Sequence, residues 1–233
     1  MRLVLASASS RRAALLDAAG FAFDTLVVNI DERPRPGEPA DHYVRRLATE
    51  KSAAALNFLR TRCEISPRVP RTPRVRPAGP IGPAPHTSIS QRALNHLDDQ
   101  TVVLGADTAV VIDGRILGKP SDDDEAADML RRLSGRRHEV MTGVSLRTRN
   151  REIGSVEVTT VEFASLRDQD IAWYVLSSEG RDKAGAYAIQ GLAARFIPRI
   201  EGSYSNVVGL PVSVVQRLLA EIASGPRSGY AGR

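Results

Sequence analysis

Between Arg62 and Arg92 the chain loses every periodic signal. This stretch holds seven of the fourteen prolines, at 67, 70, 73, 77, 80, 83 and 85, and runs through Arg-Val-Pro-Arg-Thr-Pro-Arg-Val-Arg-Pro. Proline fixes φ and removes a backbone donor, so neither a helix nor a sheet interior can pass through such a pattern. Residues 62–92 read as an extended insertion of polyproline II character that adds little to a core. Whatever folds must therefore be assembled from the sequence on either side. A solvated basic loop is the simpler account of the insertion, and a dock for an acidic partner or nucleic acid is the alternative.

The insertion also decides how the charge is read. It carries six arginines (62, 68, 71, 74, 76 and 92) against Glu64, a local balance of +5 that equals the formal net charge of all 233 residues. The remainder is formally neutral, so the basic pI is no argument for nucleic-acid binding. An apolar share of 42% and a charged share of 25% suit a globular α/β protein, as one large domain or two small lobes. No stretch approaches the roughly 18 apolar residues of a membrane span, and Met1 to Ala6 is too short for a secretory leader, so a cytoplasmic product is expected. Cys63 has no cysteine partner, and His42, His86, His96 and His138 show no zinc-ligand spacing.

The flanks alternate between strand and helix patterns. Leu3 to Ala6 reads as a short strand leading through Ser7-Ala8-Ser9-Ser10 into a helix with Ala14, Leu15, Leu16 and Ala18 on one stripe, ending at Gly20. Phe23 to Ile30 suggests a second strand and Asp41 to Leu59 a long helix. Thr101 to Leu104 and Ala109 to Ile112 suggest strands on either side of Gly105-Ala106-Asp107-Thr108. Ser121 is expected to cap a helix whose first turn holds Asp122, Asp123, Asp124 and Glu125 and which closes at Gly135. His138 to Leu146 and Ser155 to Phe163 read as paired strands, and Ser165 with Asp168 as a capping box for a helix over Asp168 to Leu176. Apolar runs at Ala186 to Ile189 and Ala194 to Ile200 precede a final helix over Val212 to Ile222.

Several of these junctions could hold chemistry. A strand-to-helix turn collects anions, because free N–H groups and the positive end of the helix dipole meet there. Ser7, Ser9, Arg11 and Arg12 sit at such a turn, although a serine cap with solvated arginines accounts for them equally. Gly114 to Pro120 resembles a P-loop, but its second glycine comes one residue early and Pro120 stands where a magnesium-binding hydroxyl should be, which leaves Lys119 as a single cation or a plain turn lysine. Asp107 lies between apolar runs, where an ionised carboxylate needs a cation, a metal or hydrogen-bond donors. Glu32 could add a second carboxylate for magnesium or be a solvated loop acid, whereas the acidic run 122–125 has a sufficient explanation as a charged first helical turn. Gln190 offers the donor and acceptor needed to read a base edge.

Taken together, these segments resemble the Maf (septum formation) family. The likeness rests on Ser7-x-Ser9-x-Arg11-Arg12, Tyr43-Val-Arg-Arg-Leu-Ala-x-x-Lys51, Gly105-Ala-Asp107-Thr108, Leu117-Gly-Lys119-Pro120 and Met141-Thr-Gly-Val144. It continues through Asp182-Lys183-Ala-Gly-x-Tyr187-x-Ile-Gln190-Gly191 and Ser203-Tyr-x-Asn206-Val-Val-Gly-Leu-Pro211. The resemblance implies a mixed central β-sheet with flanking helices over residues 1–224, elongated, two-lobed around a cleft and similar to the inosine triphosphate pyrophosphatases; the tail at 225–233 has no counterpart in the family and reads as disordered. It implies hydrolysis of a nucleoside triphosphate to the monophosphate and pyrophosphate with magnesium or manganese, and a homodimer. Asp107 would be the general base and, with Glu32, a metal ligand. Ser7, Ser9, Arg11, Arg12, Lys51, Thr108, Lys119, Lys183 and Gln190 would bind substrate, with Arg11, Thr108 and Gln190 setting base preference. The Ala-Tyr-Ala-Ile-Gln-Gly form at 186–191 is similar to the branch acting on dTTP and UTP rather than on 7-methyl-GTP. A binding protein that regulates septum formation without turnover is the alternative from another class.

Overall fold

The computed structural model describes residues 1–65 and 100–224. Most of the expected insertion and the expected tail at 225–233 lie outside the described residues. The chain order is β1 (Arg2–Ala6), α1 (Ser10–Ala18), β2 (Phe23–Thr25), α2 (Ala40–Ile65), β3 (Thr101–Ile112), β4 (Arg115–Leu117), α3 (Asp123–Leu133), β5 (Arg137–Arg147) and β6 (Glu152–Glu162). After α4 (Asp168–Leu176) come 3₁₀ turns at Ala184–Ala186 and Leu192–Phe196, β7 (Arg199–Glu201), α5 (Tyr204–Val208) and α6 (Val212–Ala223). The described strands form one sheet in the order β2-β1-β3-β5-β6-β7, with β4 folded onto β3. β1 runs parallel to both neighbours and the other pairings are antiparallel, so the expected mixed α/β sheet with flanking helices is what forms.

Side chains on a strand alternate between faces, and β3 uses this to serve four apolar clusters. On one face Val102, Leu104 and Ala106 pack with Leu3, Leu5, Leu16 of α1 and Val215, Leu218 of α6. Further along the same face Val110 and Ile112 join Leu130, Leu133, Phe163, Tyr174, Tyr187 and Phe196. On the other face Val103 meets Ala55, Leu56 and Leu59 of α2, while Ala109 and Val111 meet Val44 of the same helix. Both faces therefore change cluster near residues 105–108, where the strand carries Gly105, Asp107 and Thr108.

Several sequence expectations are corrected here. β3 is one twelve-residue strand through Gly105-Ala106-Asp107-Thr108 rather than two strands around a turn. Gly105 is there for packing: a Cβ on it would lie 2.1 Å from the Ala48 carbonyl oxygen of α2, and one on Gly143 in β5 would lie 2.2 Å from that of Val44. The second strand is only Phe23–Thr25, and α2 continues to Ile65, past the expected end at Leu59 and into the start of the expected insertion at 62. α3 is capped by Asp122, which accepts from the Glu125 N–H, not by Ser121. At α4 the expected Ser165 and Asp168 box is replaced by Arg167, whose N–H donates to Asp170 at 3.2 Å. The apolar run 186–189 forms no strand, because Gly185 and Ala186 both take positive φ, 69° and 58°. Among the described residues no helix is long and apolar enough to cross a membrane.

Candidate active site

The turn from β1 into α1 is built by its own serines. The Ser7 hydroxyl accepts from the Ser9 N–H at 3.1 Å, and Ser9 caps the helix by accepting from the Arg12 N–H. That helix start aims Arg12 inward, where it is buried and heavily engaged. Its Nε donates to the Gly209 carbonyl at 2.8 Å, and one terminal nitrogen donates to the Ala106 carbonyl at 2.8 Å and to Ser7 Oγ. The other terminal nitrogen donates to Thr108 Oγ1 at 3.0 Å. Thr108 also lies 2.9 Å from Thr142 Oγ1. Burial pulls the Arg12 guanidinium below its ordinary value, a pull opposed by the charge of Asp107. Arg12 thus ties three chain segments together and lends positive charge to the floor of the site.

Asp107 projects from the other face of β3 toward α2. On that helix Val44, Ala48, Lys51 and Ala55 share a stripe at helical spacing, and the close approach allowed by Gly105 and Gly143 presses the stripe onto the sheet. Lys51 therefore sits among apolar neighbours with its ammonium against Asp107 Oδ1, at 2.6 Å. The same ammonium lies 2.7 Å from Glu32 Oε1. Burial works to raise the Glu32 carboxyl, but the hydrogen bond and charge of Lys51, helped by Lys119 and Arg12, hold it below its ordinary range. Tyr43 on the same helix donates to the Glu32 carbonyl at 2.9 Å, and burial plus the facing carboxylates of Asp107 and Glu32 push its hydroxyl up to about 12.

These groups open into one cleft of about 810 Å³. Ser7, Ser9, Arg11, Arg12, Glu32, Lys51, Asp107, Thr108, Lys119, Lys183 and Gln190 all line it, so residues spread over more than half of the chain converge. The rim differs from the floor. Arg11 reaches Asp182 at 3.7 Å, Lys183 is hydrogen-bonded to the same Asp182, and Lys119 and Gln190 are exposed. A smaller hollow of about 320 Å³ next to the cleft is walled by charges that already face partners, such as Arg46 with Glu38 and Arg33 with Asp31. The acidic run at 122–125 lies off the cleft: Asp122 caps α3 and Asp123 pairs with Arg181 at 2.8 Å. Among the described residues no three His, Cys, Asp or Glu side chains gather as a metal cluster. Glu32 and Asp107, bridged by Lys51, are the carboxylates that converge.

Sequence reasoning singled out neither Tyr43 nor Asp182 as a site residue, although both line the cleft. Tyr43 sits two helical turns before Lys51 and on its side of α2, which helical spacing alone could have indicated. Asp182 adjoins Lys183 and gave no separate signal.

The family model described as Maf-like protein matches residues 2–222. A protein named dTTP/UTP pyrophosphatase from Anaeromyxobacter dehalogenans (strain 2CP-C) is 43% identical over 222 residues, covering 94% of this chain and 92% of that protein. Proteins of the same name from Shewanella oneidensis and Escherichia coli O157:H7 are 42% and 41% identical, covering 95% and 94% of this chain and 98% and 91% of those proteins. The Ham1 protein of Staphylococcus aureus aligns over 97% of this chain and 99% of its own at a TM-score of 0.42 and 14% identity, too distant to argue from.

Proposed function

Since the chain belongs to the Maf-like protein family, we propose that it hydrolyses dTTP and UTP between the α and β phosphates, giving the monophosphate and pyrophosphate. The observation that carries this reading is Asp107, a carboxylate on the floor of a cleft it shares with Arg11, Arg12, Lys51, Lys119 and Lys183. The names of the relatives supply the substrates.

A nucleoside triphosphate carries close to four negative charges, and these five cations answer that charge in number and sign. The rim cations, of which Lys119 is exposed and Arg11 and Lys183 half-buried, meet the polyphosphate first, and the buried Arg12 and Lys51 fix the reacting end. Asp107 takes a proton from water as that water's oxygen bonds to the α-phosphorus. The bond from the α-phosphorus to the bridging oxygen breaks, and its electron pair leaves with pyrophosphate. Lys51 is suited to two tasks: its hydrogen bond orients Asp107 beforehand, and it stays beside the charge that builds up during attack.

Magnesium binds through one or two carboxylates, completing its shell with phosphate oxygens and water. Glu32 and Asp107 fit that requirement, since both reach one Lys51 ammonium. They would hold magnesium or manganese together with the substrate. When bound, such an ion supplies Lewis-acid polarisation of the phosphoryl oxygens. We place the activity in the cytoplasm, where nucleoside triphosphates are pooled, and take a homodimer as the assembly to be tested by sizing.

The test is a panel of dTTP, UTP, CTP and 7-methyl-GTP with magnesium or manganese, read as pyrophosphate release. Release from dTTP and UTP is expected. Preference for 7-methyl-GTP would move the chain to the other branch, and binding without release would make it a nucleotide-responsive regulator.

A further inference from the structure

Gln190 lies in a stretch without regular structure, yet the backbone on both sides of it is held. Tyr174 of α4 is 1% exposed, and its hydroxyl accepts from the Ala188 N–H at 3.1 Å while donating to Glu179 Oε2 at 2.8 Å. The same carboxylate accepts from Leu192 N–H at 3.0 Å and from Ala193 N–H at 3.4 Å. It thereby caps the 3₁₀ turn that begins at Leu192, and acceptance by an ionised oxygen strengthens such bonds. Packing reinforces the hold: a Cβ on Gly191 would lie 2.0 Å from Glu179 Oε1, and one on Gly180 would lie 2.1 Å from the Ala186 carbonyl oxygen. The turn after α4 thus grips the segment 186–193 from behind and leaves the Gln190 side chain exposed on the cleft.

We infer that Tyr174 and Glu179 are positioning residues that fix the backbone on either side of Gln190 and so set how the cleft discriminates between pyrimidine bases. This rests on the pyrophosphatase reading above. Uracil presents a carbonyl at C4 and an N–H at N3, whereas cytosine presents an amino group and a bare nitrogen, so donor and acceptor exchange places. A glutamine amide matches either pattern after a half-turn about its last torsion. Selectivity must then come from where the main chain holds that amide, and recognition geometry tolerates only small displacements. Neither Tyr174 nor Glu179 lines the cleft, so both act through Gln190.

The experiment uses the full chain and two variants, Tyr174→Phe and Glu179→Gln. In Tyr174→Phe the Ala188 N–H loses its acceptor. KM for UTP should rise about ten-fold and the preference for UTP over CTP should fall about ten-fold, with kcat changing less than about three-fold. Glu179→Gln keeps one acceptor oxygen and should fall between this variant and the unaltered chain. Amide hydrogen exchange at Ala188, Leu192 and Ala193 should accelerate in both variants. The proposal is overturned if the variants lose thermal stability but keep the UTP-to-CTP ratio, because the pair would then only support the fold. If Glu179→Gln fails to fold, Tyr174→Phe, which removes one oxygen, decides alone. If the unaltered chain hydrolyses nothing in the panel, the pyrophosphatase reading fails by itself. The UTP-to-CTP affinity ratio from calorimetry then tests the pair: a ratio that shifts in the variants supports it, and an unchanged ratio or no binding of either nucleotide overturns it.

Discussion

Asp107 and Gln190 face the same cleft from walls built in opposite ways. Asp107 stands in the middle of an unbroken strand, in register with Gly143 of β5 and two residues past the end of the β1 ladder, under a helix pressed onto the sheet by two glycines, with Lys51 against it at 2.6 Å. Gln190 stands between 3₁₀ turns, on a segment held by a tyrosine and a glutamate from behind, and is itself exposed on the cleft. The contrast suits a division of labour. A proton acceptor has to be within hydrogen-bond reach of one particular water, which a hydrogen-bonded ladder secures. A surface that admits a polyanion and sorts bases profits from side chains that can still adjust.

That division can be broken at the chemical wall first. Asp107→Asn should lower pyrophosphate release by about 10² to 10⁴ while nucleotide still binds and thermal unfolding changes little. Near-native turnover would take Asp107 out of the mechanism. The next largest effect concerns the joint between the walls, where His138 Nε2 on β5 lies 2.8 Å from the Tyr187 hydroxyl. Burial lowers this imidazole from 6.5 to about 4. The folded protein therefore refuses a proton that the unfolded chain accepts, so the contribution of neutral His138 is full above pH 6.5 and is lost as pH falls toward 4. The loss amounts to about 3 kcal/mol at most. Urea titrations of the unaltered chain and of His138→Gln across that window should diverge, with the variant flatter. Parallel curves would assign the acid sensitivity elsewhere.

Two glycines sharpen the comparison further. Gly143→Ala forces a Cβ against the Val44 carbonyl and should cost about 1–3 kcal/mol, with a fall in kcat as Lys51 is moved from Asp107. Gly118→Ala on the opposite side meets nothing within 4 Å and should change stability by less than about 0.5 kcal/mol. Equal costs at the two positions would erase the distinction. The smallest effect belongs to the rim. Lys119→Met should raise KM about two- to five-fold at low salt, and the difference should shrink as ionic strength rises, as for any exposed charge. A salt-independent defect would mean that Lys119 is buried by the substrate.

Legibility in the sequence followed the same line. The flanks of β3 were readable as strands because Thr101 to Leu104 and Ala109 to Ile112 are apolar, but the strand looked broken where the clusters on both faces part. A glycine followed by an acid looks like a turn from within one sequence, and only the carbonyl of Ala48, more than fifty residues away, explains Gly105 as a contact point. Helices with a clear stripe, such as Val212–Ala223, were legible nearly to the residue. The segment 184–196 was not, since its shape depends on Glu179 and Tyr174 and not on any period of its own. The set of polar residues around the cleft was legible only as a pattern, because junction serines and lone lysines have ordinary explanations until the fold brings them together. Arg12 shows the remaining gap: the sequence marks an arginine, but not that four of its hydrogen bonds are spent inside the protein.

The unbroken course of β3 through Asp107 carries a mechanical consequence. A residue inside an unbroken strand, in register with Gly143 of β5, has little pivot of its own, so the adjustment that lets nucleotides of different size enter and products depart falls to the exposed side chains of the opposite rim. Catalytic rate and substrate choice would thereby be open to separate tuning, with changes around 182–192 able to redirect selectivity without disturbing the carboxylate proposed as the base.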